Sequence, residues 1–192
     1  RSAALLAKHG ADFNILTVVT GQTADAITRI YNFYRRSGFL YQQYIPCLDP
    51  LGEERGGNPY ALTPEKYGKF LKTLFDLWYR DLQAGKFIYI RYFENLLGLL
   101  LGQRPESCGV SGQCVIQNVV EADGSVYPCD FYCLDQWKLG NIHTDDFPAL
   151  FQSEKAAEIM AVSGRGMDGC RGSRWDPVCR GGCRGDPGPV LG

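Results

Sequence analysis

Apolar residues follow two different patterns along the chain, and the pattern changes near residue 105. Before that point, short continuous apolar runs alternate with segments in which apolar residues recur three or four positions apart. Continuous runs are typical of strands buried on both faces, and the wider spacing is typical of helices with one buried face. The first part of the chain therefore predicts alternating helices and strands.

Glycine and threonine residues set the limits of these elements. Gly10, Gly38 and Gly85 each follow a periodic segment, where a helix would end, and Thr63-Pro64 gives another helix its capping residue and its first turn. The predicted helices span residues 2–9, 23–36, 63–83 and 94–101, and the predicted strands span residues 13–19, 39–45 and 87–91. Repeated strand–helix units indicate the α/β class, with a parallel sheet or part of a barrel whose chemistry gathers at the carboxyl ends of the strands.

After Pro105 the elements become shorter. Residues 115–121 and 125–127 flank Asp123-Gly124, a strong hairpin signal, and residues 147–162 are predicted to form a helix. The chain beyond Gly164 is rich in glycine, proline and cysteine and has no periodicity, so it has no core of its own. We therefore predict two domains, residues 1–104 and 105–192, with the cysteines holding the second one together.

Composition and charge exclude several classes of function. The chain has 192 residues, of which 45% are hydrophobic and 21% charged, enough to bury a core. With 20 basic and 21 acidic side chains and no long run of like charge, it lacks the basic surface of a nucleic-acid-binding protein. The apolar patch at residues 96–101 is too short to span a membrane, and no leader precedes an apolar core, so we expect a cytoplasmic protein.

The amino end predicts that the chain is a fragment. Residue 1 is Arg1 rather than methionine, and residues 2–9 already have the character of the middle of a helix. We therefore expect a longer protein from which this chain is cut.

Seven of the eight cysteines lie in the last 85 residues. Their spacing is Cys108-x5-Cys114-x14-Cys129-x3-Cys133, followed by Cys170-x8-Cys179-x3-Cys183. Clustering of this kind in a cytoplasmic protein favours metal binding over disulfides. Irregular all-thiolate spacing fits iron–sulfur clusters somewhat better than structural zinc, which uses tighter pairs, so all three interpretations stay open at this point.

Several motifs occur together and in order. They are FNILTVV at 13–19, CLDP at 47–50, CGVSGQC at 108–114, DGSVYPCDFY at 123–132, LGNI at 139–142 and CRGGC at 179–183. This combination closely resembles the anaerobic sulfatase-maturating enzymes, which are radical S-adenosylmethionine enzymes with a SPASM domain. The resemblance runs from residue 1 to about residue 183.

The resemblance implies a fold and a set of metal ligands. The expected fold is the carboxyl-terminal part of a partial (β/α) radical barrel, followed by a small cysteine-rich SPASM domain with a β-hairpin. The family binds S-adenosylmethionine on a [4Fe-4S] cluster held by a C-x3-C-x2-C motif, which does not occur in residues 1–192. We expect that motif upstream, and we expect the fragment to be inactive alone.

By resemblance, two auxiliary [4Fe-4S] clusters are expected in the SPASM region. The first would be bound by Cys108, Cys114, Cys129 and Cys183, and the second by ligands that include Cys170 and Cys179. Ser173 stands where the family has a further cysteine, and the last family ligand would lie beyond residue 192, so we expect the second cluster to be labile or not to form. Cys133 has no place in the family's ligand set, and we interpret it as a packed thiol.

The resemblance also implies a reaction, the oxidation of a cysteine or serine in a sulfatase to Cα-formylglycine. A 5′-deoxyadenosyl radical takes a hydrogen atom from Cβ, a base takes the proton of the thiol or hydroxyl, and an electron leaves through the auxiliary clusters. Asp130 would be the base, and Leu48 would pack on the adenosine. Without the resemblance, an aspartate after a hairpin is more often a turn residue, and Leu48 would be an ordinary strand end.

The partners expected from the resemblance are a sulfatase polypeptide and an electron donor such as flavodoxin or ferredoxin. Three alternatives stay open. They are a SPASM enzyme that modifies another peptide, a zinc-stapled binding module without catalysis, and a disulfide-bonded extracellular domain.

Overall fold

The computed structural model describes residues 1–49, 56–163, 172–180 and 182–183. The chain divides into two compact units, and the division falls between Leu97 and Gly98. Each unit has its own sheet and its own buried apolar cluster.

The first unit alternates helices and strands, as the sequence predicts. Its elements are α1 (Ser2–Lys8), β1 (Ile15–Val19), α2 (Gly21–Asp25), α3 (Ile27–Arg36), β2 (Tyr41–Pro46), α4 (Pro64–Gln83), β3 (Tyr89–Ile90) and α5 (Arg91–Leu100), the last of which crosses the division. The three strands form a parallel sheet in chain order, with Val19 opposite Pro46 and Tyr41 opposite Tyr89. The α/β class is confirmed.

A single apolar cluster joins the sheet of the first unit to its helices. Val19, Tyr44 and Ile90 contribute to it from the three strands, together with side chains of α3 and α4 such as Tyr31 and Leu74. The spacing of three and four residues on α4 therefore reports one buried face, as expected. Thr63 caps that helix, because its hydroxyl accepts a hydrogen bond from the backbone N–H of Lys66.

Two predicted elements of the first unit need correction. The helix expected over 23–36 is two helices that meet at Ala26, and the first of them begins before residue 23 because Thr20 is its capping residue. Thr20 and Thr23 form a reciprocal capping box, a pattern that normally carries Glu or Gln at the second position. The strand expected over 87–91 is limited to Tyr89–Ile90, because Arg91 already begins α5.

A buried carboxylate connects α3 to α4 in the first unit. Asp81 is only 2% exposed and accepts a hydrogen bond from the hydroxyl of Tyr31 at 3.1 Å. Three cations surround it, the guanidinium of Arg35 at 3.4 Å, that of Arg80 at 3.6 Å and the ammonium of Lys86 at 3.9 Å. These partners compensate the loss of hydration that burial of the charge entails.

The second unit has shorter elements and a smaller core. They are α6 (Cys108–Ser111), β4 (Val119–Val120), β5 (Ser125–Tyr127), β6 (Gly140–Asn141), α7 (Phe147–Leu150), α8 (Glu154–Ser163) and α9 (Asp176–Cys179), with single 3-10 turns at Asp130–Tyr132 and Asp135–Trp137. The strands form an antiparallel sheet in the order β4-β5-β6. The apolar cluster contains Val126, Leu139, Leu150 and Ala156, with Ile116 packed against it.

The predicted hairpin is confirmed. Val119 lies opposite Tyr127, and the turn between the strands contains Gly124 with φ +83°, a conformation that favours glycine. The carboxylate of Asp123 accepts hydrogen bonds from the backbone N–H of Ser125 at 2.9 Å and from its hydroxyl at 2.7 Å. Both hydrogen bonds lower the pKa of Asp123, and the one from the Ser125 hydroxyl has the larger effect.

Two expectations for the second unit are corrected. The helix predicted over 147–162 is interrupted, because the hydroxyl of Ser153 accepts a hydrogen bond from the N–H of Ala156 and opens a new helix. The chain beyond Gly164, which has no periodicity, contains the short helix α9. Across the described part of the chain, the helices are too short or too polar to cross a membrane.

Candidate metal centre

The first two predicted ligands lie on one tight loop. Cys108 opens α6, whose single turn ends at Gly112 in the left-handed conformation with φ +76°. The hydroxyl of Ser111 accepts a hydrogen bond from the N–H of Gln113 at 3.1 Å, which turns the chain toward Cys114. Both cysteines are half-buried.

This loop lies against the segment that carries Cys183. A β-carbon added to Gly112 would lie 2.8 Å from the Cβ of Arg180 and 2.9 Å from its carbonyl oxygen, a space that no side chain can enter. A β-carbon at Gly109 would lie 3.8 Å from the Cβ of Cys183. Gly112 thus allows the loop between Cys108 and Cys114 to approach Arg180 closely, three residues before the predicted fourth ligand.

Cys129 follows β5 and precedes the 3-10 turn. Gln117 connects its segment to the loop of Cys108, because the backbone N–H of Gln117 donates to the carbonyl oxygen of Pro128 at 2.6 Å, and its side-chain Nε2 donates to the Sγ of Cys108 at 3.5 Å. Segments carrying three predicted ligands therefore contact one another.

Electrostatics at Cys129 combine burial with hydrogen bonding to sulfur. Burial raises the pKa of Cys129 to about 11, and the charge of Asp130 and the thiol of Cys183 act in the same direction. The backbone N–H groups of Phe131 and Tyr132 donate to the sulfur and oppose this rise in pKa. Amide donors aimed at a cysteine sulfur are what an anionic, metal-bound thiolate requires.

The described residues do not include a completed metal site. Their cysteines form no disulfide bonds, and no three of their His, Cys, Asp or Glu side chains lie together in a metal-binding arrangement. The chemistry of the donor set, half-buried free thiols that receive N–H donors, nevertheless fits an iron–sulfur cluster. The assignment of Cys108, Cys114, Cys129 and Cys183 as ligands of one cluster stays a prediction.

The ligands expected for a second cluster are only partly described. Cys170 lies outside the described residues, and Cys179 ends α9. The carbonyl oxygen of Ser173 accepts a hydrogen bond from the N–H of Asp176 at 3.0 Å, which helps to begin that helix. Cys133 is half-buried, and its thiol donates to the carbonyl oxygen of Cys129 at 3.6 Å, in keeping with a packed thiol.

The remaining predicted residues lie at the ends of elements. Asp130 is the first residue of the 3-10 turn and is exposed in this chain. Leu48 is half-buried just beyond β2, where the N–H of Cys47 donates to the carbonyl oxygen of Val19 and extends the pairing of the two strands. The carboxylate of Asp49 accepts hydrogen bonds from the N–H of Gly56 and the amide of Asn58.

Comparison with known proteins adds a family to this geometry. Residues 108–184 match the SPASM family model, an iron–sulfur cluster-binding domain. The cysteine-type anaerobic sulfatase-maturating enzyme of Clostridium perfringens (strain 13 / Type A) is 47% identical over 184 residues, which are 96% of this chain and 50% of that protein. The chain is homologous to the anaerobic sulfatase-maturating enzymes.

A solved structure of such an enzyme supports the relationship. Native anSMEcpe with bound AdoMet and the Cp18Cys peptide superimposes with a TM-score of 0.92 and 46% identity, covering 96% of this chain and 51% of that one. The chain thus spans about half the length of the sulfatase-maturating enzymes it matches. The resemblance stated from the sequence motifs is confirmed, and so is the likeness of the fold to that of a radical S-adenosylmethionine enzyme with a SPASM domain.

The chain also matches, at lower identity, enzymes that are named as serine-type. The serine-type anaerobic sulfatase-maturating enzyme of Bacteroides thetaiotaomicron is 30% identical over 165 residues, which are 79% of this chain and 39% of that protein. Both relatives carry sulfatase maturation in their names, and they differ in the residue type named.

Sequence reasoning did not single out Gly112 or Gln117. The signal for Gly112 is its place inside CGVSGQC, because a glycine between two predicted ligands lets the backbone turn and come close to another loop. Gln117 offered no such signal, because its contacts join residues that are nine and eleven positions away.

Proposed function

We propose that this chain is the carboxyl-terminal half of a radical S-adenosylmethionine enzyme that oxidises a sulfatase residue to Cα-formylglycine. The observation that carries the proposal is the 47% identity to a cysteine-type anaerobic sulfatase-maturating enzyme over 96% of the chain. In this proposal, residues 1–104 complete part of the radical barrel and residues 105–192 form the SPASM domain.

The substrate residue we propose is cysteine. The relatives named as cysteine-type are 44–47% identical to this chain, whereas the serine-type relatives are 25–30% identical. The substrate itself is proposed to be a sulfatase polypeptide, and one solved relative carries bound AdoMet and a peptide.

The proposed cofactors are S-adenosylmethionine and iron–sulfur clusters. Cys108, Cys114, Cys129 and Cys183 would hold one auxiliary [4Fe-4S] cluster, which would supply a one-electron acceptor beside the substrate. Cys170 and Cys179 would contribute to a second cluster, which Ser173 makes labile because a serine oxygen is a poor replacement for a thiolate toward iron.

Asp130 is proposed to act as the base. Its carboxylate is exposed and adjoins the Cys129 ligand, so a substrate thiol brought to the cluster could transfer its proton to it. Loss of a hydrogen atom from Cβ, a proton from sulfur and one electron amounts to a two-electron oxidation. Water then replaces the sulfur, which leaves as sulfide, and the aldehyde results.

Leu48 is proposed to pack on the adenosine of S-adenosylmethionine. It stands at the carboxyl end of β2, the edge of a parallel α/β sheet where ligands bind. The apolar side chain would exclude water from one face of the base. The electron that leaves the substrate would pass to the auxiliary clusters, and the proposed redox partner is an electron donor such as flavodoxin or ferredoxin.

The test is an assay of the full-length protein, reconstituted anaerobically with iron and sulfide, on a short sulfatase-type peptide containing cysteine. The proposal predicts a loss of mass that corresponds to aldehyde formation and depends on S-adenosylmethionine. Modification of a different kind of peptide, with no change in the sulfatase peptide, would instead support another SPASM enzyme. A colourless protein with stoichiometric zinc would overturn the proposal.

A further inference from the structure

Gln117 contacts two of the segments that carry proposed cluster ligands. Its backbone N–H donates to the carbonyl oxygen of Pro128, the residue before Cys129, at 2.6 Å. Its side-chain Nε2 donates to the Sγ of Cys108 at 3.5 Å. The backbone contact positions the chain, and the side-chain contact places an N–H group on a sulfur atom.

The side-chain contact is not required to satisfy a buried group. Gln117 is exposed, so water could solvate its amide equally well. A neutral thiol is a weak acceptor, whereas a thiolate bound to iron carries much more negative charge and is the better partner for an N–H donor. The direction of the amide therefore suits a metal-bound Cys108.

We propose that Gln117 raises the reduction potential of the cluster bound at Cys108. This inference rests on the proposed function, because it requires Cys108 to be a ligand. One-electron reduction by an external donor increases the negative charge on the ligand sulfurs, so an N–H donor stabilises the reduced state more than the oxidised state. A higher potential makes the cluster a better acceptor for the electron that leaves the substrate.

Gln117 can be tested by substitution, whereas the backbone donors at Cys129 cannot. The N–H groups of Phe131 and Tyr132 act on the Cys129 sulfur but cannot be removed by changing a side chain. The amide of Gln117 can be removed without loss of the backbone hydrogen bond to Pro128. Gln113 provides the matched control, because it is an exposed glutamine on the same segment and hydrogen-bonds to Ser111 through its backbone.

The experiment is a redox titration of the reconstituted full-length protein with dithionite, followed by electron paramagnetic resonance. The signal of interest is the one that Cys108→Ala removes. Gln117→Leu is expected to shift its midpoint potential to more negative values, Gln117→Glu to shift it further because a carboxylate adds charge, and Gln113→Leu to leave it unchanged. An intact cluster with the wild-type potential in Gln117→Leu would overturn this inference but not the proposed function.

Two further outcomes separate this inference from its premise. If Cys108→Ala retains every cluster signal and all its iron, the ligand assignment and the inference both fail. If Gln117→Leu does not assemble a cluster, the wild-type protein is labelled with ¹⁵N-glutamine and reduced. Pulsed electron paramagnetic resonance of this sample then tests the inference. A nitrogen coupling that persists in Gln113→Leu supports the inference, and its absence from the wild-type protein contradicts it.

Discussion

Among the described residues, the apolar cluster that joins the parallel sheet of the first unit to its helices contains fourteen buried side chains, whereas the apolar cluster of the second unit contains four. Both units are of similar length. A unit of about 90 residues with so few buried side chains has little hydrophobic stabilisation and commonly relies on a metal or on cross-links. From this comparison we predict that the first unit is stabilised by its core and the second by its cysteines.

Loss of a ligand is expected to have the largest effect on this contrast. Cys129→Ala removes a thiolate from the proposed cluster, and we expect the full-length protein to lose about four irons and the second unit to lose its protection from hydrogen exchange. The measurement is iron and sulfide analysis together with hydrogen exchange followed by mass spectrometry.

Cys133→Ala is the control for this variant. Cys133 lies four residues further along the chain, and its thiol donates a hydrogen bond to the carbonyl oxygen of Cys129. It is expected to keep the full iron content, and equal loss of iron in the two variants would contradict the ligand assignment.

A cavity in the core of the first unit is expected to lower the stability of that unit without loss of iron. Leu74 is 0% exposed, and Leu74→Ala should lower the free energy of unfolding by about 3 kcal/mol through lost burial and the cavity left behind. Hydrogen exchange should accelerate across residues 1–97, while the iron content stays unchanged. Lys72→Ala, an exposed position on the same helix, should change the free energy by no more than about 0.5 kcal/mol.

Two glycines with similar backbone conformations test the packing of the loop between Cys108 and Cys114. Gly112 and Gly102 have nearly the same φ, +76° and +75°, but only Gly112 lies against another backbone. Gly102→Ala should cost about 1 kcal/mol from backbone strain alone. Gly112→Ala should cost a further ~2 kcal/mol from the clash with Arg180 and should reduce the iron retained after dialysis.

Thermal unfolding and iron analysis of the two glycine variants test this difference. Similar stability and similar iron content in both would show that the approach of the two loops does not matter for the metal centre.

The smallest expected effect concerns pH and the hairpin of the second unit. The pKa of Asp123 is lowered in the folded state, so its contribution to stability is present above the unfolded value of 3.8 and is lost as the pH falls through the folded pKa. Asp123→Asn should remove this acid-dependent loss, which hydrogen exchange of the hairpin measures between pH 5 and the acid limit. An unchanged acid dependence in the variant would show that another group is responsible.

Local signals in the sequence predicted most of the first unit. Thr63-Pro64, Gly85 and the apolar spacing of α4 act within one element, so its limits follow from residues that are close in sequence. The errors arose where tertiary contacts decide. Thr20 begins the helix before Thr23 through a capping box without Glu or Gln, and Arg91 ends the third strand early.

Residue patterns predicted less of the structure of the second unit. The hairpin was predicted because Asp123-Gly124 is a local turn signal. The approach of Gly112 to Arg180 and the contact of Gln117 with Cys108 join residues that are distant or irregularly spaced, and no periodicity reports them. The cysteine motifs identified the family there, and the ligand set still rests on that resemblance.

The most direct test of the central claim is an anomalous difference map at the iron absorption edge from crystals of the anaerobically reconstituted full-length protein. The account predicts a four-iron cluster bonded to the Sγ atoms of Cys108, Cys114, Cys129 and Cys183. Iron density away from these four sulfurs, or a zinc signal in its place, would contradict the account.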